Sequence, residues 1–471
     1  MGTTKRSALL MVLCALGIAL GGGTARADGA PVGTDIQVAQ TLGARELTVI
    51  IRRIDVTPGD LHVDIATHTG TAPGPLHLAA AADGVVVSRG DVVLGATPGL
   101  YSGTVGVDHA GPWELRLNDG TTTATIPFVV PARVVPPWEK AAYGGFVAAG
   151  TFLLIALVVA VRSRRTAYAL LPAGGMVAAL AVAVTGALLS TGTPPPPAPG
   201  AQLDATVDNV TDPYALSRLP VTDYSRPPVN LTLGTQGKSL DLHFTDGSTG
   251  RPADDLVIHD DALVHLIAIS PSGRLWHLHP VRVAPGEYRV DFAPPESGTY
   301  AVAAELERRG GGVQLSRSTV DFNGVTGNPA EVPAGPGKRV VDGVPIDVTT
   351  TAVQAGTPVT VTAHFPTGDL QPWLGMLGHL IVVGPLPSAN GVGAAAATAP
   401  AWAHAHAMPP YVPGLTGVPD ETVAAYGPDV PFTYTFPAPG RYRLWLQAER
   451  GWSVLTVPVA LDVPAVPGGG P

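Results

Sequence analysis

Two uncharged apolar segments, Ala141 to Val161 and Ala167 to Ser190, stand mid-chain with Arg162-Ser163-Arg164-Arg165 between them. Each has the about 20 residues needed to cross a hydrocarbon core of roughly 30 Å. The basic loop, 162–166, is short enough only to turn the chain back, and such loops stay cytoplasmic. The expected element is a two-helix transmembrane hairpin with both large flanking regions outside the cell membrane. Trp138 and Tyr143 suit the interfacial belt at its outer edge. Neither segment carries an acidic residue or a histidine, so the pair reads as an anchor rather than an ion path.

The N-terminus points the same way. Lys5 and Arg6 precede an apolar run from Ser7 to Leu20, and Ala25-Arg26-Ala27 forms a small-residue site. Residues 1–27 are therefore expected to be a signal peptide; the apolar run, about 14 residues, is short for a membrane helix. Cys14 is the only cysteine, so the exported chain must rely on packed cores, or on cores plus metal, rather than on disulfides or thiolate sites. With a net charge of −9 and no basic block beyond the loop, nucleic acid is not an expected partner.

Both outer regions are written in strand grammar. Glu46–Arg52, Leu61–Ile65 and Trp113–Leu117 alternate apolar and polar residues, and Gly, Pro and Asp punctuate them as in a β-sandwich. Residues 28–137 form the first such domain. Residues 191–228 read as a Pro-rich linker, stiffened by Pro194 to Pro199. The pattern then returns twice, in 229–325 and 338–465, as an internal repeat. The fold expected is mainly β: three immunoglobulin-like sandwiches plus the membrane hairpin.

Of 13 histidines, eight hold matching places in the two repeats: His243 with His364, His265 with His379, His277 with His404, and His279 with His406. Residues i and i+2 of a strand share a face, so His-x-His aims two imidazoles at one region. In the first repeat Ser270-Pro271-Ser272-Gly273-Arg274 fits a three-residue hairpin loop with a left-handed glycine. That register sets His265 opposite His279, with His277 on the same face. In the second repeat the connection is long and the parity is unreadable, but Met408 follows His406 at the next i+2 place. A soft thioether there suits copper better than zinc.

The expected site is therefore a metal site, copper or zinc, built from His265, His277 and His279 and from His379, His404, His406 and Met408. The competing reading is a structural hydrogen-bond cluster in a module that docks an envelope protein partner. His243 and His364 divide between core partner and supporting residue; His62, His68, His77 and His109 are expected to have no ligand role. Asp254, Asp255, Asp260 and Asp261 read as solvated turn residues. No G-x-S-x-G, H-E-x-x-H or phosphate loop occurs, so binding is expected and enzymatic turnover is not; a metal-dependent hydrolase is the weaker third reading.

The run from His265 to Ser270 followed by Trp276-His277-Leu278-His279-Pro280 resembles bacterial extracytoplasmic domains of the YtkA/FixH-like, immunoglobulin-type group. So do Leu370 to Leu380 and Phe436 to Trp445. The resemblance covers roughly residues 235 to 465. It implies copper or heavy-metal handling: buffering, sensing or delivery by a membrane-anchored protein.

Overall fold

The structure is a computed structural model that describes residues 35–52, 54, 57–130, 137–163, 165–192, 227–309, 311–323, 333–388, 391–410 and 419–465. The expected signal peptide and most of the linker lie outside the described residues.

The first domain is a sandwich of two four-stranded antiparallel sheets. One runs Ile36–Leu42, Arg45–Ile51, Gly59–Thr67 and Gly99–Val107; the other runs Val85–Leu94, Gly74–Ala82, Gly111–Asn118 and Thr123–Val130. Strand Gly111–Asn118 shows why it folds so, since its residues alternate between buried and half-buried along the whole length. The buried set, with Leu47, Val63, Trp113, Leu115 and Phe128, fills the space between the sheets.

Each repeat is a second version of the same plan. In the first, Ser239–Asp246 pairs with Val229–Gln236 and Glu287–Asp291, and Gly298–Arg308 pairs with His265–Ile269 and Gly312–Phe322. In the second, Pro358–His364 pairs with Val344–Thr350 and Asp429–Thr435, and Gly440–Arg450 pairs with Gly378–Gly384 and Ser453–Val463. All three domains carry a tyrosine corner. Tyr101, Tyr300 and Tyr442 donate their hydroxyls to the carbonyls of Thr97, Glu296 and Ala438, four residues upstream. That corner is a hallmark of immunoglobulin-type sandwiches.

The central strands of the repeats do not alternate. His265–Ile269 and Gly378–Gly384 are buried along their whole length, which needs cover on both faces. One face lies on its own sandwich core. The other meets the opposite repeat: Ile267, Ile269, Leu275 and Ala303 pack with Ile381, Val383, Val392 and Trp445 in one shared cluster. The long connection of the second repeat supplies a short helix, Val392–Ala397, whose first N–H bonds the Pro271 carbonyl of the first repeat.

The first domain closes over one end of this pair. Ala39 N–H donates to the Asp261 carbonyl at 2.7 Å and Thr41 N–H to the His279 carbonyl at 2.8 Å. Ala39, Ala262, Trp373 and Leu374, one from each of two domains and two from the third, form a small apolar knot there.

Between the first domain and the repeats stand helices Pro137–Arg162 and Leu170–Gly192, joined through a short 3-10 turn at Thr166–Ala169. Two helical segments, Pro137–Arg162 and Ala167–Ser190, are long and apolar enough to cross a membrane. They cross closely through small residues: a Cβ on Gly145 would stand 2.7 Å from Ala183 N, and one on Gly186 2.7 Å from the Trp138 carbonyl.

Candidate metal centre

The hairpin register in the first repeat is the one the turn residues require. Ser270 N–H bonds the Arg274 carbonyl at 2.9 Å, and Gly273, at φ 94°, bonds back to Ser270. Ile267 then opposes His277 and Leu266 opposes Leu278, so one further step sets His265 against His279. In the second repeat His379 opposes His406 and Ile381 opposes His404. The long connection therefore preserves parity, and the two trios occupy equivalent places.

The sequence suggested one site in each repeat, but the structure joins them. Both trios lie on the outer faces through which the repeats pack together. Ring centroids within a trio are 4.5 to 5.3 Å apart. Across the repeats, His277 stands 5.1 Å from His404 and 5.4 Å from His379, and His265 5.4 Å from His404. The six rings make one contiguous cluster at the junction, and the deepest of them, His279 and His379, are fully buried.

The outer nitrogen of each ring faces an acceptor. His265 Nε2 donates to the His259 carbonyl at 3.0 Å, and His379 Nε2 to the Trp373 carbonyl at 3.1 Å, six residues upstream in both repeats. His277 Nδ1 donates to Gln447 Oε1 at 3.1 Å, and His404 Nδ1 lies 3.4 Å from Glu305 Oε1. These partners are exchanged, because each belongs to the other repeat. His279 Nδ1 donates to Glu46 Oε1 of the first domain at 2.6 Å, and His406 Nδ1 lies 3.5 Å from Asp260 Oδ2.

On His265, His277, His279 and His379 the hydrogen-bonded acceptor holds the proton on one ring nitrogen and leaves the other bare, while His404 Nδ1 makes no hydrogen bond. The bare nitrogens point at one another: His265 Nδ1 to His277 Nε2 at 3.1 Å, His379 Nδ1 to His404 Nε2 at 3.1 Å, and His404 Nε2 to His406 Nε2 at 3.3 Å. His279 Nε2 is buried without a hydrogen-bond partner. Lone pairs so placed repel unless a cation lies between them. Nitrogens on a tetrahedral ion at about 2.0–2.1 Å stand roughly 3.3 Å apart, close to the separations found. Outer nitrogens donating to carbonyls and carboxylates are the usual support of metal-binding histidines. Histidine groups 265/277/279 and 277/379/404 each bring one nitrogen per residue within 4.8 Å of the others.

Electrostatics disfavour the protonated form at His265, His277, His379 and His406. Burial, and after it the charge of neighbouring imidazoles, holds His265, His277 and His379 well below the usual histidine range. Burial and then His404 bring His406 down to about 3. Burial alone would raise Glu46 and Glu305, yet both lie below the usual carboxylate value because imidazoles face them: His279 for Glu46, and His404, His259 and His406 for Glu305.

Several expectations need correction. Strand Ala401–Ala407 stops before Met408, whose side chain is 65% exposed, so the thioether is not brought to the cluster. His243 is exposed, and His364 bonds Asp429 and Thr349 away from the junction, because both lie on the opposite sheet of their sandwiches. Apart from these corrections, His68 is a buried partner of Glu449 at 2.8 Å, and His77 and His109 pair with exposed aspartates. The turn aspartates are engaged as well: Asp254 pairs with Arg282, Asp255 with Arg308, and Asp260 lies 3.1 Å from His259 Nε2.

The residues missed from sequence are the acceptors Glu46, Asp260, Glu305 and Gln447, together with His259 and Trp373. Two of these had a signal in the repeat alignment, where Glu305 and Gln447 each stand seven residues after the corner glycine. Glu46 had none, since only tertiary packing brings it near His279.

A family model described as a domain of unknown function, DUF8832, matches residues 339–465, the second repeat with its trio. Malformin synthetase mlfA of Aspergillus niger is 33% identical over 114 residues, covering 21% of this chain and 2% of the synthetase. The chain therefore spans only 2% of that relative's length. Among solved structures, the tetra-tandem repeat in the extending region of a large adhesion protein is 12% identical with a TM-score of 0.16, covering 91% of this chain and 74% of its own. The FN1–FN3 domains of chicken CNTN1 are 9% identical with a TM-score of 0.15, covering 91% and 99%. A two-domain fibronectin type III segment of chicken tenascin is 12% identical with a TM-score of 0.15, covering 50% and 99%.

Proposed function

We propose that this is a membrane-anchored extracytoplasmic protein that holds copper, in preference to zinc, at the six-histidine junction, and that it serves metal buffering, sensing or delivery. The observation that carries this reading is the set of bare imidazole nitrogens facing each other at 3.1 Å, each ring backed by an acceptor. A buried cluster with facing nitrogens of that kind is stabilised by a cation. Imidazole suits copper and zinc alike, and copper(II) stands above zinc in general affinity order.

The sidedness proposed rests on the signal-like N-terminus, the basic loop and one structural fact. The first domain and the repeats flank the hairpin yet hydrogen-bond to each other, which supports placing both on one side of a membrane.

The test is a copper and zinc titration of the full chain in detergent beside a His277→Ala/His279→Ala variant. The wild type should bind at least ten-fold more tightly. Equal, weak binding by both would remove the metal reading and leave a structural histidine cluster in an envelope docking module.

A further inference from the structure

The two trios are equivalent in backbone place but unequal in surroundings. Around His265, His277 and His279 the second layer is Glu46 and the neutral amide of Gln447, with the indole of Trp373 between the trios, its ring centroid 5.1 Å from His277, 5.9 Å from His279 and 4.8 Å from His379. Around His404 and His406 it is Glu305 and Asp260, with Glu307 behind them 3.4 Å from His259. The carboxylates Asp260 and Glu305 also form, with His259, a third group that could hold a metal ion. Even counting His259 as a cation, three carboxylates lie within 3.8 Å of it there, whereas among the described residues Glu46 is the carboxylate hydrogen-bonded to the other trio.

The difference sits at matched positions. Glu305 opposes His265 in its sheet and Gln447 opposes His379 in its own, yet each reaches the other repeat's histidine. Trp373 and His259 are likewise counterparts, six residues before His379 and His265. A buried ion is stable only where fixed charge of opposite sign offsets its loss of water. One carboxylate matches a single positive charge; the carboxylate-rich side matches two.

We infer, building on the metal reading above, that the six imidazoles form one two-ion centre whose halves take ions of different charge. A copper(I) ion occupies the inner half, His265, His277 and His279. A divalent ion occupies the other half, His379, His404 and His406, where His404 Nε2 lies 3.1 Å from His379 Nδ1 and 3.3 Å from His406 Nε2, with His277 also within reach of His379 and His404. Contact between His277 and His404 makes the halves neighbours, so the ions reside side by side rather than in separate domains.

The experiment uses the full chain in detergent without oxygen, titrated with zinc(II) and copper(I) against a competing chelator for each. Zinc(II) alone should saturate at one ion per chain, and copper(I) should then add one more without releasing zinc. Glu305→Gln should weaken zinc(II) about ten- to a hundred-fold and leave copper(I) at the inner half unchanged. Gln447→Glu, which keeps the side-chain shape and can still accept from His277, should raise zinc(II) capacity to two. Two equal zinc(II) ions in the wild type, one-for-one displacement of zinc by copper(I), a total of one ion, or insensitivity to both variants would each overturn the paired centre and leave metal binding standing. Failure to bind either ion would overturn the metal reading itself.

Discussion

His279 of the first repeat donates its Nδ1 proton to Glu46 of the N-terminal domain at 2.6 Å, and its main-chain N–H to Thr41 Oγ1 at 2.8 Å. A ligand candidate in one domain is thus oriented by another that lies across the membrane hairpin in sequence. Replacing Glu46 with Gln keeps an acceptor and removes the charge, and Glu46→Ala removes both. Supporting residues of this kind are worth about ten- to a hundred-fold in metal affinity. Glu46→Ala should weaken copper binding within that range and Glu46→Gln less, as read by chelator competition.

The pairing of His68 with Glu449 ties the first domain to the second repeat in a pH-dependent way. Burial alone would lower the His68 pKa, but the hydrogen bond and charge of Glu449, with Glu421 and Glu46 behind it, raise it to about 9. Its stabilising effect is full below the unfolded value of about 6.5 and is lost as pH rises through 9. Glu421, raised by burial to about 7, acts in the same direction, its contribution being lost as pH rises from about 4.5 through 7. Thermal stability should therefore fall between pH 6.5 and 9, and a His68→Gln variant should show a flatter decline across that window. Parallel curves for the two proteins would sink this assignment.

Ile381 is fully buried and belongs to the cluster that joins the repeats. Ile381→Ala leaves a cavity and should cost about 2–5 kcal/mol. Because the same faces carry the histidines, the variant should lose metal affinity as well as melting temperature, whereas an equal truncation inside one sandwich, such as Val361→Ala, should lower stability with a smaller effect on metal.

Sidedness is open to direct labelling. In a Cys14→Ser background, cysteine placed at the exposed Thr121 should react with a membrane-impermeant thiol reagent in intact cells, and cysteine at Ser163 only after lysis. The reverse pattern would refute the outward placement. Within the hairpin, Gly145→Leu should force the helices apart, since even a Cβ there approaches backbone to 2.7 Å, and lower the protein's melting temperature in detergent.

Much of this arrangement was legible because it depends on local chemistry. The Ser270 to Arg274 turn states its own register, and the turn glycine adopts the left-handed conformation it was expected to supply. The Gly-x-Tyr corners mark equivalent strands in all three sandwiches. The unbroken apolar run Leu380-Ile381-Val382-Val383 is buried on both faces, but a run of that kind cannot name what covers the second face. The merging of two trios into one cluster was hidden for that reason. Glu46 was hidden more deeply, being separated from His279 in sequence by the whole hairpin. Met408 misled because i+2 spacing holds only while the strand continues, and two prolines end it at once.

Glu305 and Gln447 hold one place in the repeat and differ by one charge. Had the two repeats been separate, identical chains assembled about a twofold axis, each would carry the same residue, and any change on one side would appear on the other. Covalent duplication removes that constraint. A single chain can keep matched imidazoles while its halves drift to unlike electrostatic settings, and so acquire direction: an entrance and a resting place where a symmetric dimer would have two of the same.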